Sequence, residues 1–261
     1  MQQLKINYTE NGYGHAVLLL HGFPFDHAIW HGQTEALAKS GHIFTIDLPG
    51  FGTSQPLPNE SPATIDMYAE AVARWIKAHR RRKIVLGGHS MAGYIALALA
   101  RLHPEMLRGL ILISTRPGPD SEEGREGRYK LVTRVEIEGA QAVADAMLSR
   151  LLAPATLERH PEVRDRVHDA IMRQSKEGIK HALVAMATRP DATPDLKSIT
   201  VPTLIISGTE DAIIPAGDAE LMRKRIPQAT HVPIDKAGHL PMMEAPDEFN
   251  QAVESFLAAL P

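Results

Sequence analysis

A chain of 261 residues, 44% hydrophobic and 23% charged, holds enough apolar side chain for one large α/β domain, or one domain carrying an insertion. Its formal net charge of −3 leaves no basic surplus for a nucleic-acid partner, and the absence of cysteine removes disulfides, thiolate metal sites and a cysteine nucleophile together. The N-terminal stretch lacks a basic segment leading into an apolar one, and the longest apolar run, Met91 to Ala100, is too short to cross a bilayer. The expectation is a soluble, cytoplasmic protein with no membrane partner, monomeric or homodimeric.

In chain order, "AVLLL" (16–20), "HIFTID" (42–47), "KIVLG" (83–87), "GLILIS" (109–114), "TLIIS" (203–207) and "HVPID" (231–235) read as strands. Most are near-continuous apolar runs, the pattern of parallel strands covered on both faces. Helices lie between them. Ile65, Tyr68, Val72 and Ile76 make one apolar stripe over 64–79. The segment 91–102 is apolar nearly all round and stops before Pro104, and a last helix opens at Pro246 with Asp247 and Glu248 in its first turn. From Thr115 to about Thr200 no strand is evident, while "GAQAVADAMLSRLLA" and "RDRVHDAIMRQ" have helical spacing. The alternation predicts a mostly parallel sheet flanked by helices, with core residues 1–115 and 200–261 and a helical cap over 116–199, inserted after the sixth strand.

The chemistry centres on "GGHSMAGY". An apolar strand runs into Ser90 and a buried helix follows, so Ser90 is either a helix N-cap or a nucleophile on a strained strand-to-helix turn. Such a turn requires small residues two places away on both sides, and Gly88 and Ala92 meet the need, although glycine is usual at the second place. A serine needs a base, and the base needs an orienting acid. Asp211 in "GTEDAIIP" follows a strand and a glycine turn, and His239 in "AGHLPMMEAP" lies between the last strand and the last helix. The order serine, aspartate, histidine is that of the nucleophile-elbow class. Glu210 is one residue too early, and Asp235 is assigned to holding the loop.

Oxyanion donors in that class are the backbone N–H after the nucleophile, here Met91, and one from the loop after an early strand, here Phe23 in "HGFP". His21 is expected to brace this loop. His89 is a poor base because neighbours along the turn point apart. Asp47, in "IDLPGFGTSQP", is assigned to capping its turn. Phe25, Trp30 and Tyr94 are candidate pocket residues, with core packing as the alternative for at least half of such apolar side chains.

Together these motifs resemble the α/β-hydrolase superfamily over roughly residues 4–115 and 200–260, in the single-cap bacterial branch of carboxylesterases, 3-oxoadipate enol-lactonases and cofactor-free perhydrolases. The resemblance implies an α/β-hydrolase fold and a Ser90–His239–Asp211 triad needing no metal or organic cofactor. A small-molecule ester or lactone would be the substrate. Dehalogenases and epoxide hydrolases of this superfamily need an aspartate where this chain has Ser90. Small-to-medium carboxylic esters are the leading substrate class. Enol-lactones, carbon–carbon substrates, perhydrolysis and a non-catalytic ligand-binding fold are the alternatives. An enol-lactonase would want a cation, for which Arg116, Arg125, Arg128 and Arg134 are candidates. Glu122, Glu123 and Glu126 are interleaved with them, so a self-compensating surface run is the competing account.

Overall fold

The computed structural model describes residues 4–58, 62–81 and 83–261. Seven strands form one sheet: β1 (Tyr8–Asn11), β2 (Ala16–Leu20), β3 (His42–Ile46), β4 (Ile84–His89), β5 (Leu107–Ile113), β6 (Thr203–Gly208) and β7 (Ala229–Ile234). Their order across the sheet is β1-β3-β2-β4-β5-β6-β7. Only β1 runs antiparallel, paired with β3 at one edge. The other pairs are parallel, and every residue of β2 and β4 is buried, so both faces are covered as their unbroken apolar runs predict. β1 was not predicted: its sequence, "YTEN", is polar and exposed throughout, and an edge strand with no buried face leaves no hydrophobic pattern to read.

The helices of the sheet layers are α1 (His31–Ala36), α2 (Ile65–Ala78), α3 (Met91–Leu102), and, after β6, α9 (Ala216–Arg225), α10 (Pro241–Glu244) and α11 (Pro246–Ala258). Thr64 caps α2 by accepting the Met67 N–H, and the predicted stripe of Ile65, Tyr68, Val72 and Ile76 is buried. α3 is buried from Met91 to Leu99, which accounts for its lack of a polar face.

Between β5 and β6 the chain leaves the sheet for five helices: α4 (Glu122–Glu138), α5 (Gln141–Leu151), α6 (Pro154–Arg159), α7 (Pro161–Met172) and α8 (Lys176–Ala187). This excursion follows the fifth strand, not the sixth as expected. A single strand, β1, precedes the six that the apolar runs reveal, and four of those six lie before the excursion. The helices rest on loops that leave the C-terminal ends of the parallel strands. Arg173 pairs with Asp26 after β2 at 3.1 Å, Gln174 accepts the Gly52 N–H after β3, and Leu151 accepts the His239 N–H after β7. Ligands of open α/β sheets bind at that end.

Candidate active site

At the junction of β4 and α3, Ser90 has φ 52° and ψ −114°, a conformation that a non-glycine residue holds only when its surroundings enforce it. Three hydrogen bonds do so. The Ser90 N–H donates to Ile113 O at 2.8 Å, and the Ser90 carbonyl accepts from the Gly93 N–H at 2.9 Å and from Thr115 Oγ1 at 2.8 Å. A Cβ on Gly88 would lie 2.3 Å from the Ala92 carbonyl oxygen, so the turn admits no side chain there. Ser90 occupies the N-cap position of α3, but its side chain makes no capping hydrogen bond to that helix.

The hydroxyl engages a histidine instead. His239 Nε2 lies 2.9 Å from Ser90 Oγ, and His239 Nδ1 lies 2.9 Å from Asp211 Oδ2. A carboxylate only accepts, so Nδ1 carries the proton and Nε2 offers its lone pair to the serine O–H. The second carboxylate oxygen accepts the N–H groups of Ile213 at 2.8 Å and Ile214 at 3.0 Å, which fixes its plane. Burial works against ionising Asp211, but the His239 ring and these two amides outweigh it and hold its pKa below the ordinary aspartate range. His239 and Asp211 are both buried, at 1% and 2% side-chain exposure, so their pairing is shielded from water. The structure brings together three residues that lie 121 and 28 positions apart in sequence.

The two backbone amides expected as oxyanion donors lie in loops and turns at the C-terminal ends of neighbouring strands β2 and β4. Met91 opens α3, whose first N–H groups have no intrahelical acceptor. Phe23 lies in the loop after β2, next to β4 in the sheet. Among the described residues neither N–H donates to a protein acceptor. His21 braces this loop as expected: its Nδ1–H donates to Gly22 O, and its Nε2 accepts the Leu48 N–H, both at 2.9 Å.

His89 is fully buried, and burial, with the neighbouring His239, pushes its pKa down to about 3. It stays neutral and donates Nε2–H to the His239 carbonyl at 2.8 Å, while its Nδ1 has no partner among the described residues. It is a backbone brace for the histidine loop and has no contact with the Ser90 hydroxyl. Asp47 accepts from Asn7 Nδ2, from the Thr53 N–H and from both the amide and ring of His27, so its carboxylate is consumed in the loop it caps. Asp235 is exposed and makes no hydrogen bond among the described residues, so holding the histidine loop is not its task; Glu244 has that place.

The three candidate pocket residues lie in different surroundings. Trp30 is fully buried with its ring 6.2 Å from Phe249 of α11, as core, and Phe25 is fully buried beside the His89 ring. Tyr94 lies under the Arg189 guanidinium at 4.2 Å, in a cleft of about 330 Å³ shared with Leu97, Pro117 and Pro190. None of the three contacts Ser90 through a hydrogen bond or ring pairing.

The arginines resolve differently from a surface run. Arg116, Arg128 and Arg189 all converge on Asp120, whose side chain is 2% exposed. Burial opposes its charge, yet these guanidiniums hold its pKa far below the ordinary value. Arg134 instead pairs with Glu138 at the surface, and Glu122 and Glu123 serve the first turn of α4. Arg189 escaped the sequence reading because a lone arginine before Pro190 carries no local signal. Among the described residues, Asp26, His27 and Asp47 place ligand atoms within 4.8 Å of one another. Arg173, Gln174 and their own mutual hydrogen bonds already occupy those atoms.

The sequence profile of the alpha/beta hydrolase fold matches residues 15–246. The chain is similar to the solved structure of a thermophilic esterase from Thermogutta terrifontis, with 40% identity and a TM-score of 0.94 over 98% of this chain and 93% of that one. It is also similar to the enol-lactonase from Burkholderia xenovorans LB400, with 27% identity and a TM-score of 0.89 over 98% and 97% of the two chains. A pimeloyl-[acyl-carrier protein] methyl ester esterase of Aeromonas hydrophila is 27% identical over 97% of this chain and 100% of that protein. With a strained serine turn at the C-terminal end of a mostly parallel sheet and a profile match over most of its length, the chain belongs to the alpha/beta hydrolase fold family.

Proposed function

We propose that this protein is a serine hydrolase of small-to-medium carboxylic esters, working through an acyl-enzyme. The observation that carries the reading is the single imidazole of His239, 2.9 Å from both Ser90 Oγ and Asp211 Oδ2. As Ser90 Oγ attacks the ester carbonyl, its proton passes to His239 Nε2, and Asp211 steadies the imidazolium without taking a proton. The tetrahedral oxyanion lies against the N–H groups of Phe23 and Met91, each such donor contributing about 3 kcal/mol to the transition state. Collapse sends the proton from Nε2 to the leaving alkoxide and leaves an acyl ester on Ser90. Water, deprotonated by His239, attacks that ester, releases the acid and restores the serine. Every step uses groups of this chain, substrate and water. Residues 116–199 act as a cap over this site, and the esterase relatives support the ester class.

p-Nitrophenyl esters from acetate to decanoate, turned over by the wild type beside Ser90→Ala, test the reading. Turnover in the wild type and a loss of about 10⁴-fold or more in the variant are expected. Turnover that persists in Ser90→Ala would overturn it.

A second reading, hydrolysis of an anionic enol-lactone, is favoured by one observation: three guanidiniums share the single carboxylate of Asp120, and Arg116 directly follows the Thr115 that bonds the Ser90 carbonyl. On this reading Arg116→Ala raises KM for an anionic lactone and spares neutral esters. Equal effects on both would remove it.

A further inference from the structure

Five residues after His239, at the end of α10, the Glu244 carboxylate accepts four hydrogen bonds and its two oxygens face different parts of the fold. Oε1 accepts the N–H groups of Gly238 at 2.9 Å and Leu240 at 3.2 Å, the residues on either side of His239. Oε2 accepts the Ala153 N–H from the turn joining α5 to α6 and the Thr156 Oγ–H from α6, both at 2.8 Å. The end of α5 supplies Leu151 O to the His239 N–H at 3.1 Å, while His89 Nε2–H holds the His239 carbonyl. A Cβ on Gly238 would lie 2.5 Å from the Ala153 nitrogen, so the two backbones cross without room for a side chain.

We infer that Glu244 is the positioning residue of the reaction, fixing the His239 imidazole by holding the amides on both sides of it and locking that loop to the helical insertion. The inference rests on His239 being the base for Ser90. Only an acceptor-only group of this length satisfies all four donors. A glutamine offers its oxygen to one pair and turns an NH2 toward the other, and an aspartate is one methylene short of spanning both. Burial pushes the Glu244 carboxyl above the ordinary glutamate range, so four donors are retained at a place where a charge is costly. Displacement of the ring by a fraction of an ångström lengthens a 2.9 Å contact through which a proton must pass.

The test is the first-order rate at which excess fluorophosphonate labels Ser90, which does not depend on the fraction of chain folded. Glu244→Gln is expected to slow labelling by about tenfold or more, with ester kcat falling in parallel and KM within about twofold. Thr156→Ala, which removes one donor from the insertion side alone, is expected to slow labelling by less than about threefold. Glu244→Asp, which keeps the charge, serves if the glutamine variant does not fold, and should also label several-fold slower. Wild-type labelling rates in Glu244→Gln or Glu244→Asp, with only the melting temperature lowered, would overturn the inference. A wild type that is not labelled at all would overturn the reading of the site and this inference with it.

Discussion

The two histidines nearest the nucleophile have opposite tasks, and their surroundings decide which is which. His239 has a carboxylate on one ring nitrogen and the serine on the other, whereas His89 points Nε2–H at a carbonyl and finds no partner for Nδ1 among the described residues. His89→Ala would leave the His239 carbonyl buried without its donor, at a cost of about 1–3 kcal/mol. Urea unfolding should show that loss, and activity below the midpoint should fall far less than in Ser90→Ala. Ser90, Asp211 and His239 were legible in sequence because each follows a strand end with local punctuation: small residues around the serine, a glycine turn before the aspartate, a glycine before the histidine. Glu244 was not. It sits in plain view in "GHLPMMEAP", but its meaning comes from Ala153 and Thr156, about ninety residues upstream.

The β4–α3 junction and the insertion are where single elements decide the site. Gly88→Ala forces a Cβ into the Ala92 carbonyl, and the turn must open to admit it. A loss of about 1–3 kcal/mol in stability is expected, together with loss of fluorophosphonate labelling. The insertion depends on a different point. Asp120 ties the loop after β5 to Arg128 on α4 and Arg189 beyond α8, so Asp120→Asn leaves three guanidiniums without their counter-charge. Breaking a buried pair from one side costs about 3–5 kcal/mol, and partial exposure of Arg116 and Arg128 places the expected loss at or below the low end, measured by denaturant unfolding. Apolar strands and striped helices were readable because burial leaves a period in the sequence. The charged start of the insertion is self-compensating at Arg134, which pairs with Glu138, but not at Arg116 and Arg128, because the acid that balances them, Asp120, precedes the interleaved glutamates.

Across the whole molecule, stability in acid follows from three aspartates. Asp47, Asp120 and Asp211 all have folded pKa values below the ordinary 3.8, despite burial, because hydrogen-bond donors and cations hold the charged form. Each contributes stability that is present above the unfolded value and lost as pH falls through the folded one. Glu244 and Asp218, both raised by burial, work in the opposite sense and return stability as they protonate. Buried His21 and His89, held below the ordinary 6.5, also lose stability as pH falls, so unfolding free energy should decline from about pH 6.5 and fall more steeply below about pH 4, with a shallower acid fall in Asp47→Asn. A rise in stability below about pH 4 would contradict this balance. The parallel sheet and the residue span of its helical insertion were visible from the alternation of runs, but not the strand the insertion follows, and the contacts that join it to the His239 loop are long-range and left no local trace. The central claim is that Ser90, His239 and Asp211 act as one activated unit. The most direct measurement is mass spectrometry of the chain after exposure to a fluorophosphonate, wild type beside His239→Ala. One adduct per chain is expected on the Ser90 peptide, and none in the variant over the same time. An adduct elsewhere, or equal labelling of Ser90 without His239, would contradict it.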